Sequence, residues 1–527
     1  MTRDFHFPGR SPAIAGEAMA ATSHPLATLA AIETLRAGGN AADAAIAAVA
    51  LLGVVEPAMT GIGGDCFCLV AKPDGRIHGY NGSGRAARAA RAEALLAQGV
   101  RSIESNAIHA ITVPGAVEAW AAILERHGRL GLDHVLQPAI RAAEEGFAVT
   151  PRVALDWGLA EKMLGADAGA ARNFLVHGRA PIAGDIMRMP ALAATMKAIA
   201  KDGPRAFYEG AIAEDIVATV RARGSLLTLD DFAAHRGDDA APIASAYRGL
   251  DVVELPPNGQ GLAALVLLNI LDRFDFKGRD PLDPERLHVM LEAARLAYAV
   301  RDTHIADPAF MRTTPAALLD RGFAADLARL IDPARRVDLP RAPMPRGDTV
   351  YLTVVDRDRM AVSLINSLYS AFGVGIATEK TGIMLHNRGS CFVVDPAHPN
   401  CIGPAKRPMH TIIPALAMRE GRCALSFGVM GGSYQAMGHA YVISNMVDHG
   451  MDVQQAIEAP RFFFEGEKTV IERALPQASI DGLKARGHDI AVRPLPYGGG
   501  QAIAIDWQRG VLTGASDHRK DGCALGY

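Results

Sequence analysis

The feature that most limits what this chain can fold into is a change of texture at residue 349. From Pro114 to about Pro343 the apolar residues recur at helical spacing. The clearest runs are Val117 to His127, His134 to Gly146, Met189 to Asp202, Ile212 to Arg223 and Pro284 to Val300. After Thr349 the pattern alternates instead. Val350 to Asp356 and Met360 to Asn366 read as a hairpin across Arg357-Asp358-Arg359, and Thr378 to Leu385, Thr411 to Met418 and Cys423 to Phe427 continue as strands. Helices mostly before residue 349 and strands mostly after it predict an α+β fold of stacked layers with antiparallel sheets.

Thr349 stands where this change occurs. Pro345-Arg346-Gly347-Asp348 is a turn-prone lead into a β-branched run, with Thr349 at the strand's first position. A cut just before it would give this threonine a free α-amine beside its own hydroxyl. Nucleophile and general base would then share one residue. Locally, Asp-Thr before a strand is also an ordinary turn. The preceding segment, Arg335 to Arg346, is rich in Arg and Pro and reads as an exposed, mobile linker in which a cut is easily accommodated.

The totals narrow the function classes. A chain of 527 residues can bury a large core and hold more than one compact lobe. The net charge of −3, with no long like-charged run, provides no footprint for nucleic acid or an acidic membrane face. None of the six cysteines forms a zinc-type pair, and Cys66-Phe67-Cys68 sits in a strand-like run with both sulfurs on one face. Residues 1–20 carry neither a secretory signal nor a membrane span, so a cytoplasmic location is expected.

Nearer the N-terminus, Leu26 to Ala37 and the Ala-rich Ala41 to Leu52 read as packed helices. The glycine turn from Gly61 to Gly64 leads into a strand, Cys66 to Ala71, rather than opening a helix. It therefore predicts close backbone packing, not a phosphate cradle. A hairpin through Lys72-Pro73-Asp74-Gly75 leads on to Arg76 to Tyr80. Arg85 follows on a glycine turn, either as a carboxylate clamp or as a solvated surface charge.

Several separated stretches occur in a telling order: Gly61-Ile62-Gly63-Gly64, the strand from Thr349, Ala371 to Ile376, Gly382 to Leu385, Gly403 to Pro408, Gly431-Gly432-Ser433, Ala459 to Phe462 and Gly514 to Asp517. Together they resemble the γ-glutamyltranspeptidase family of N-terminal-nucleophile hydrolases, over nearly the whole chain. The resemblance implies a four-layer αββα sandwich and a proenzyme that cuts itself before Thr349. Residues 1–348 and 349–527 would then stay associated as a heterodimer, with a pair of such heterodimers as a further expectation. It implies no cofactor and no metal. It assigns Thr349 as nucleophile, Ser367 as the hydroxyl that orients it, and the backbone N–H groups of Gly431 and Gly432 as oxyanion donors.

The same resemblance exposes departures. Val350 replaces the threonine that usually follows the nucleophile. Gly82 occupies the ungapped position of the headgroup arginine, for which Arg85 could substitute. Tyr369 stands where an asparagine is usual, Cys391 replaces the aspartate that holds the glutamyl α-amine, and His410 and Thr411 replace a serine pair. Without that acid, a zwitterionic glutamyl donor is disfavoured. Asn387-Arg388-Gly389-Ser390 places an arginine near the pocket, which resembles the oxamate amidohydrolase branch. Arg388 is then either a substrate clamp or one side of a structural salt bridge, and His410 either touches substrate or sits satisfied in a loop. The favoured reading is an amidohydrolase acting on a small carboxylate-bearing amide such as oxamate. The alternatives are γ-glutamyl hydrolysis or transfer on glutathione-like donors, and a non-catalytic binding protein on the same fold.

Overall fold

A computed structural model describes residue 6 and residues 9–338 and 347–527. Two seven-stranded sheets are stacked face to face. In the first, the strands run in the order Ala13–Ala15, Val511–Ser516, Gly500–Asp506, Arg422–Val429, Ala415–Arg419, Leu250–Glu254 and Ile243–Tyr247. In the second the order is Cys523–Gly526, Met19–Thr22, Asp348–Val355, Ala361–Tyr369, Asp65–Ala71, Ile77–Gly82 and Asp238–Ala240. Neighbouring strands in both sheets are antiparallel.

Three apolar layers make this a four-layer αββα sandwich. Phe67, Leu69, Tyr351, Ile365, Leu416, Ile503 and Leu512 fill the space between the sheets. Cys66, Cys68, Val350, Leu352 and Leu364 face outward from the second sheet, onto helices that include Ala41–Val55 and Ala116–His127. Val252, Ala417, Leu425 and Phe427 face outward from the first, onto Gly261–Leu271, Pro284–His304 and Tyr434–His449. The period of two along each strand produces this division. All six cysteines are free thiols, with Cys66 and Cys68 on one face and Phe67 on the other.

Most helices fall within a few residues of their expected bounds, but several readings need correction. His134 to Gly146 is not one helix. It divides into Leu132–Val135 and Gln137–Glu145, where Pro138 lacks the N–H that a continuous helix needs. Thr378 to Leu385 is not a strand. Ile383 and Thr378 close a turn on each other, and only one isolated bridge, Ala377 to Met384, forms. Its apolar residues are buried because the loop packs beneath the glycine turn, where His386 N–H donates to Gly63 O at 3.1 Å. The helical middle also holds strands: a two-residue pair, Phe147–Ala148 with Ile186–Met187, and the longer Asp238–Ala240, Ile243–Tyr247 and Leu250–Glu254. They are short and partly exposed, so their alternation is weak.

The expected linker is pinned where it begins. Arg336 N–H donates to Arg486 O at 2.7 Å, and Val337 N–H to Glu292 Oε2 at 3.0 Å. Residues 339–346 of that segment lie outside the described residues. Among the described residues, no helix is long and apolar enough to cross a membrane.

Candidate active site

Strand parity decides where Thr349 points. Along Asp348–Val355, residues 350, 352 and 354 face the helices, whereas Tyr351 and Val355 face the other sheet. Thr349 shares the parity of Tyr351 and is fully buried at the strand's end. Ser367 shares the parity of Ile365 on the adjacent strand. Between them the ladder slips: Asp348 pairs with Tyr369 and Val350 with Asn366, an irregularity that spans Thr349. Thr349 Oγ1 and Ser367 Oγ are 3.1 Å apart, and Ser367 Oγ accepts the Tyr369 N–H at 2.8 Å.

The glycine turn that caps the first sheet closes over this point. Gly431 and Gly432 have φ values of +110° and +58°, a region that glycine adopts without cost. A Cβ at Gly432 would lie 2.6 to 2.9 Å from the backbone of Gly347. The pair's carbonyls accept from Tyr434 N–H, Gln435 N–H and Gln260 Nε2. Among the described residues, no hydrogen bond takes their own N–H groups. Beside Gly347 and Gly431 opens a cavity of about 570 Å³, walled by Tyr434, Phe463, Tyr497 and Arg493.

The predicted turn at Gly61 to Gly64 is a packing element. A Cβ at Gly64 would meet Ser367 O at 2.3 Å, and one at Gly63 would meet Met384 O at 2.0 Å. Asp65 follows, paired in register with Ser367. One carboxylate oxygen of Asp65 accepts from Gly84 N–H and Gly115 N–H, and the other faces His410 Nε2 at 3.0 Å. Burial alone would raise the Asp65 pKa, but His386, His410 and Arg388 outweigh it and hold this acid below the usual carboxylate range. His410 accepts Ile412 N–H at Nδ1, so its Nε2 carries the proton donated to Asp65. Burial, reinforced by Arg388, pushes the His410 pKa down to about 3, so the ring is neutral.

The two candidate arginines differ. Arg85 is partly exposed and engaged: it pairs with Asp238 at 3.4 Å and Asp307 at 3.5 Å, and donates to Ala405 O. It is therefore not a solvated surface charge: in the structure its guanidinium is held by two of the chain's own carboxylates. Arg388 is fully buried and lies 4.1 Å above the Tyr369 ring. Its Nη1 donates to Thr411 Oγ1 at 2.7 Å and faces Cys391 Sγ at 3.8 Å. Its Nε and Nη2 have no hydrogen-bond partner among the described residues, and no acid pairs with it there, so the salt-bridge alternative is not what the structure contains. Tyr369 links this group to the chain just before Thr349, because a Cβ on Gly347 would lie 2.5 Å from its ring. Tyr369, Arg388, Cys391 and Thr411 thus come together beside Gly347, while His410 stands behind them on Asp65.

A family model described as gamma-glutamyltranspeptidase matches residues 27–527. The chain belongs to the γ-glutamyltranspeptidase family. It is a self-processing hydrolase of that family, and its fold agrees. A cephalosporin acylase from Bacillus halodurans superposes with a TM-score of 0.94 at 38% identity, covering 100% of this chain and 99% of that one. A glutathione hydrolase-like proenzyme, YwrD, from Bacillus subtilis (strain 168) is 39% identical, over 96% of this chain and 98% of its own length. An oxamate amidohydrolase proenzyme from Klebsiella pneumoniae is 36% identical, over 97% and 98%.

Three residues in this site were not singled out by sequence reasoning. Asp65 reads as the end of a glycine turn and Gln260 as part of another. Gln260 Nε2 joins Thr411 O at 2.7 Å to Gly432 O at 3.0 Å, while Arg301 holds its Oε1 at 2.9 Å. Gln435 reads as one polar residue at the start of an apolar helix, yet its Nε2 lies 3.4 Å from Thr349 Oγ1. The only local signal was that each is polar within a stretch otherwise built for burial. A possible metal set, His288, Glu292 and His488, also lies within the fold. Its atoms already bond to one another, to Asp332 O, to Thr469 and to Arg295, so an ion there would have to displace these partners.

Proposed function

We propose that the chain cuts itself between Asp348 and Thr349 and then hydrolyses small amides bearing a carboxylate next to the scissile carbonyl, of the oxamate kind. In maturation, Thr349 Oγ adds to the Asp348 carbonyl carbon. The peptide C–N bond then breaks, nitrogen takes the hydroxyl proton, and an ester remains. Water cleaves that ester, freeing the Asp348 carboxylate and the Thr349 α-amine. In turnover the α-amine takes the Oγ proton as Oγ attacks the substrate amide. Gly431 and Gly432 N–H groups face the oxyanion, and the proton passes to the departing amine. Water, deprotonated by the same amine, then releases the acid.

The single observation that carries the substrate class is Arg388, a buried guanidinium with two donor nitrogens, Nε and Nη2, unpaired among the described residues. Such donors are costly unless a ligand satisfies them, and a planar carboxylate matches the fork. The Tyr369 ring between Arg388 and Gly347 favours a short acyl group. The oxamate amidohydrolase relative supports the same reading. A glutamyl donor would bring an ammonium to a place where Cys391, not an acid, faces Arg388.

Intact mass of purified protein is the first test, with fragments beginning at Thr349 expected and none from Thr349→Ala. Cut enzyme is then assayed for ammonia release from oxamate and for coloured amine from γ-glutamyl-p-nitroanilide. Turnover of the second and not the first would transfer the assignment to γ-glutamyl chemistry. Turnover by uncut wild-type protein would refute the mechanism.

A further inference from the structure

Thr349 Oγ1 has a second neighbour besides Ser367. Gln435 is the second residue of the helix Tyr434–His449, immediately after the oxyanion turn, and is fully buried. Its Oε1 accepts the Ile413 N–H at 3.1 Å. A backbone N–H can only donate, so this contact fixes which end of the side-chain amide is oxygen. The other end, Nε2, faces Thr349 Oγ1 at 3.4 Å, long as resting catalytic contacts often are. Gln435 N–H also donates to Gly432 O at 3.3 Å, so the residue that touches the nucleophile is tied to the oxyanion turn.

We infer that Gln435 is a catalytic residue, whose Nε2–H stabilises Thr349 Oγ when that oxygen is the leaving group of the ester. This rests on Thr349 being the nucleophile. A donor aimed at Oγ lowers its basicity, which helps little while Oγ attacks. When the acyl–Oγ bond breaks, the electron pair moves onto Oγ, and a preorganised donor there lowers the barrier before the α-ammonium returns the proton. Ser367 O–H acts from the other side. The same step ends both maturation and every turnover, so the role is measurable without knowing the substrate.

The test uses the full chain and its own processing. Gln435→Met removes the donor at nearly the same volume but leaves Ile413 N–H unsatisfied. Gln435→Glu keeps an acceptor for Ile413 and regains a donor only when its carboxyl is protonated. In both variants at neutral pH we expect ester hydrolysis to slow by roughly 10- to 100-fold. A full-length species should accumulate that hydroxylamine splits before Thr349, leaving a hydroxamate on Asp348. Lowering the pH should restore processing in the Glu variant and not in the Met variant. Thermal unfolding checks that both are folded.

Wild-type processing rates in Gln435→Glu at neutral pH would overturn the inference. So would slow processing with no hydroxylamine-sensitive ester and no acid rescue, which marks a purely structural residue. If wild-type protein is never cut before Thr349, the proposed nucleophile fails instead, and the two failures are told apart by that control.

Discussion

At the scale of single residues, the proposed specificity rests on Arg388 and Tyr369. Arg388→Met removes a buried charge whose Nε and Nη2 have no hydrogen-bond partner among the described residues, and whose electrostatic counterpart is the Asp65 carboxylate. The protein should still cut itself, and melt within a few degrees of wild type, while kcat/KM for oxamate falls by about 100-fold, the scale of two lost charge-assisted hydrogen bonds. Ammonia release and a melting curve check this. A large drop in melting temperature with turnover intact would make Arg388 structural. Tyr369 holds a φ of +77°, a region that aromatic residues rarely enter and asparagine tolerates. Tyr369→Asn should therefore fold, keep self-cleavage and deepen the acyl pocket. Competition between oxamate and longer acid amides should shift toward the longer ones.

At the scale of elements, the turn from Gly431 to Ser433 tolerates little change. Gly432→Ala places a methyl within 2.9 Å of Gly347 and a side chain at φ +58°. It should leave the chain full length by intact mass, with the melting temperature lowered by only a few degrees, because the clash lies beside the proposed cut before Thr349 and not in the apolar layers. Strands explain why this turn meets Thr349 at all. Arg422–Val429 belongs to one sheet and Asp348–Val355 to the other, and Thr353 Oγ1 bonds Ser426 Oγ across the gap at 2.6 Å. Elements with strong internal pattern were legible in advance: the strand at 349, the glycine turns and Ala41–Val55. Ile243–Tyr247 and Leu250–Glu254 were not, because their strand character comes from pairing with each other and with Ala415–Arg419.

At the scale of the whole molecule, residues before and after position 349 are interleaved in both sheets. Ala361–Tyr369 pairs with Asp65–Ala71, and Ala415–Arg419 with Leu250–Glu254. Cut fragments should thus co-elute under native conditions and separate only in denaturant, as size exclusion followed by mass analysis would show. Glu56 sets a pH dependence. It is fully buried, bonded by Ser23, and near Lys520, Asp156 and Asp521; burial raises its pKa from 4.5 to about 7. An acid whose folded pKa is raised releases its proton first in the unfolded chain, so stability falls as pH rises from about 4.5 to 7. The cost above that window is roughly 3 kcal/mol. Glu56→Gln should flatten the dependence of melting temperature on pH between 5 and 8 and raise it at pH 8.

The sequence by itself determined which segments alternate and which turn every 3.6 residues, where glycine must stand, and that a threonine opens the strand after a linker. These follow from spacings of a few residues, which backbone geometry alone reads. Only the tertiary structure decided which polar groups found partners. Arg85 met Asp238 and Asp307, while Arg388 met no acid among the described residues. His410 was taken by Asp65, 345 residues away, and Gln435 was turned toward Thr349, 86 residues away. Those pairings depend on sheet register and layer stacking, and no local pattern encodes where a distant donor will point.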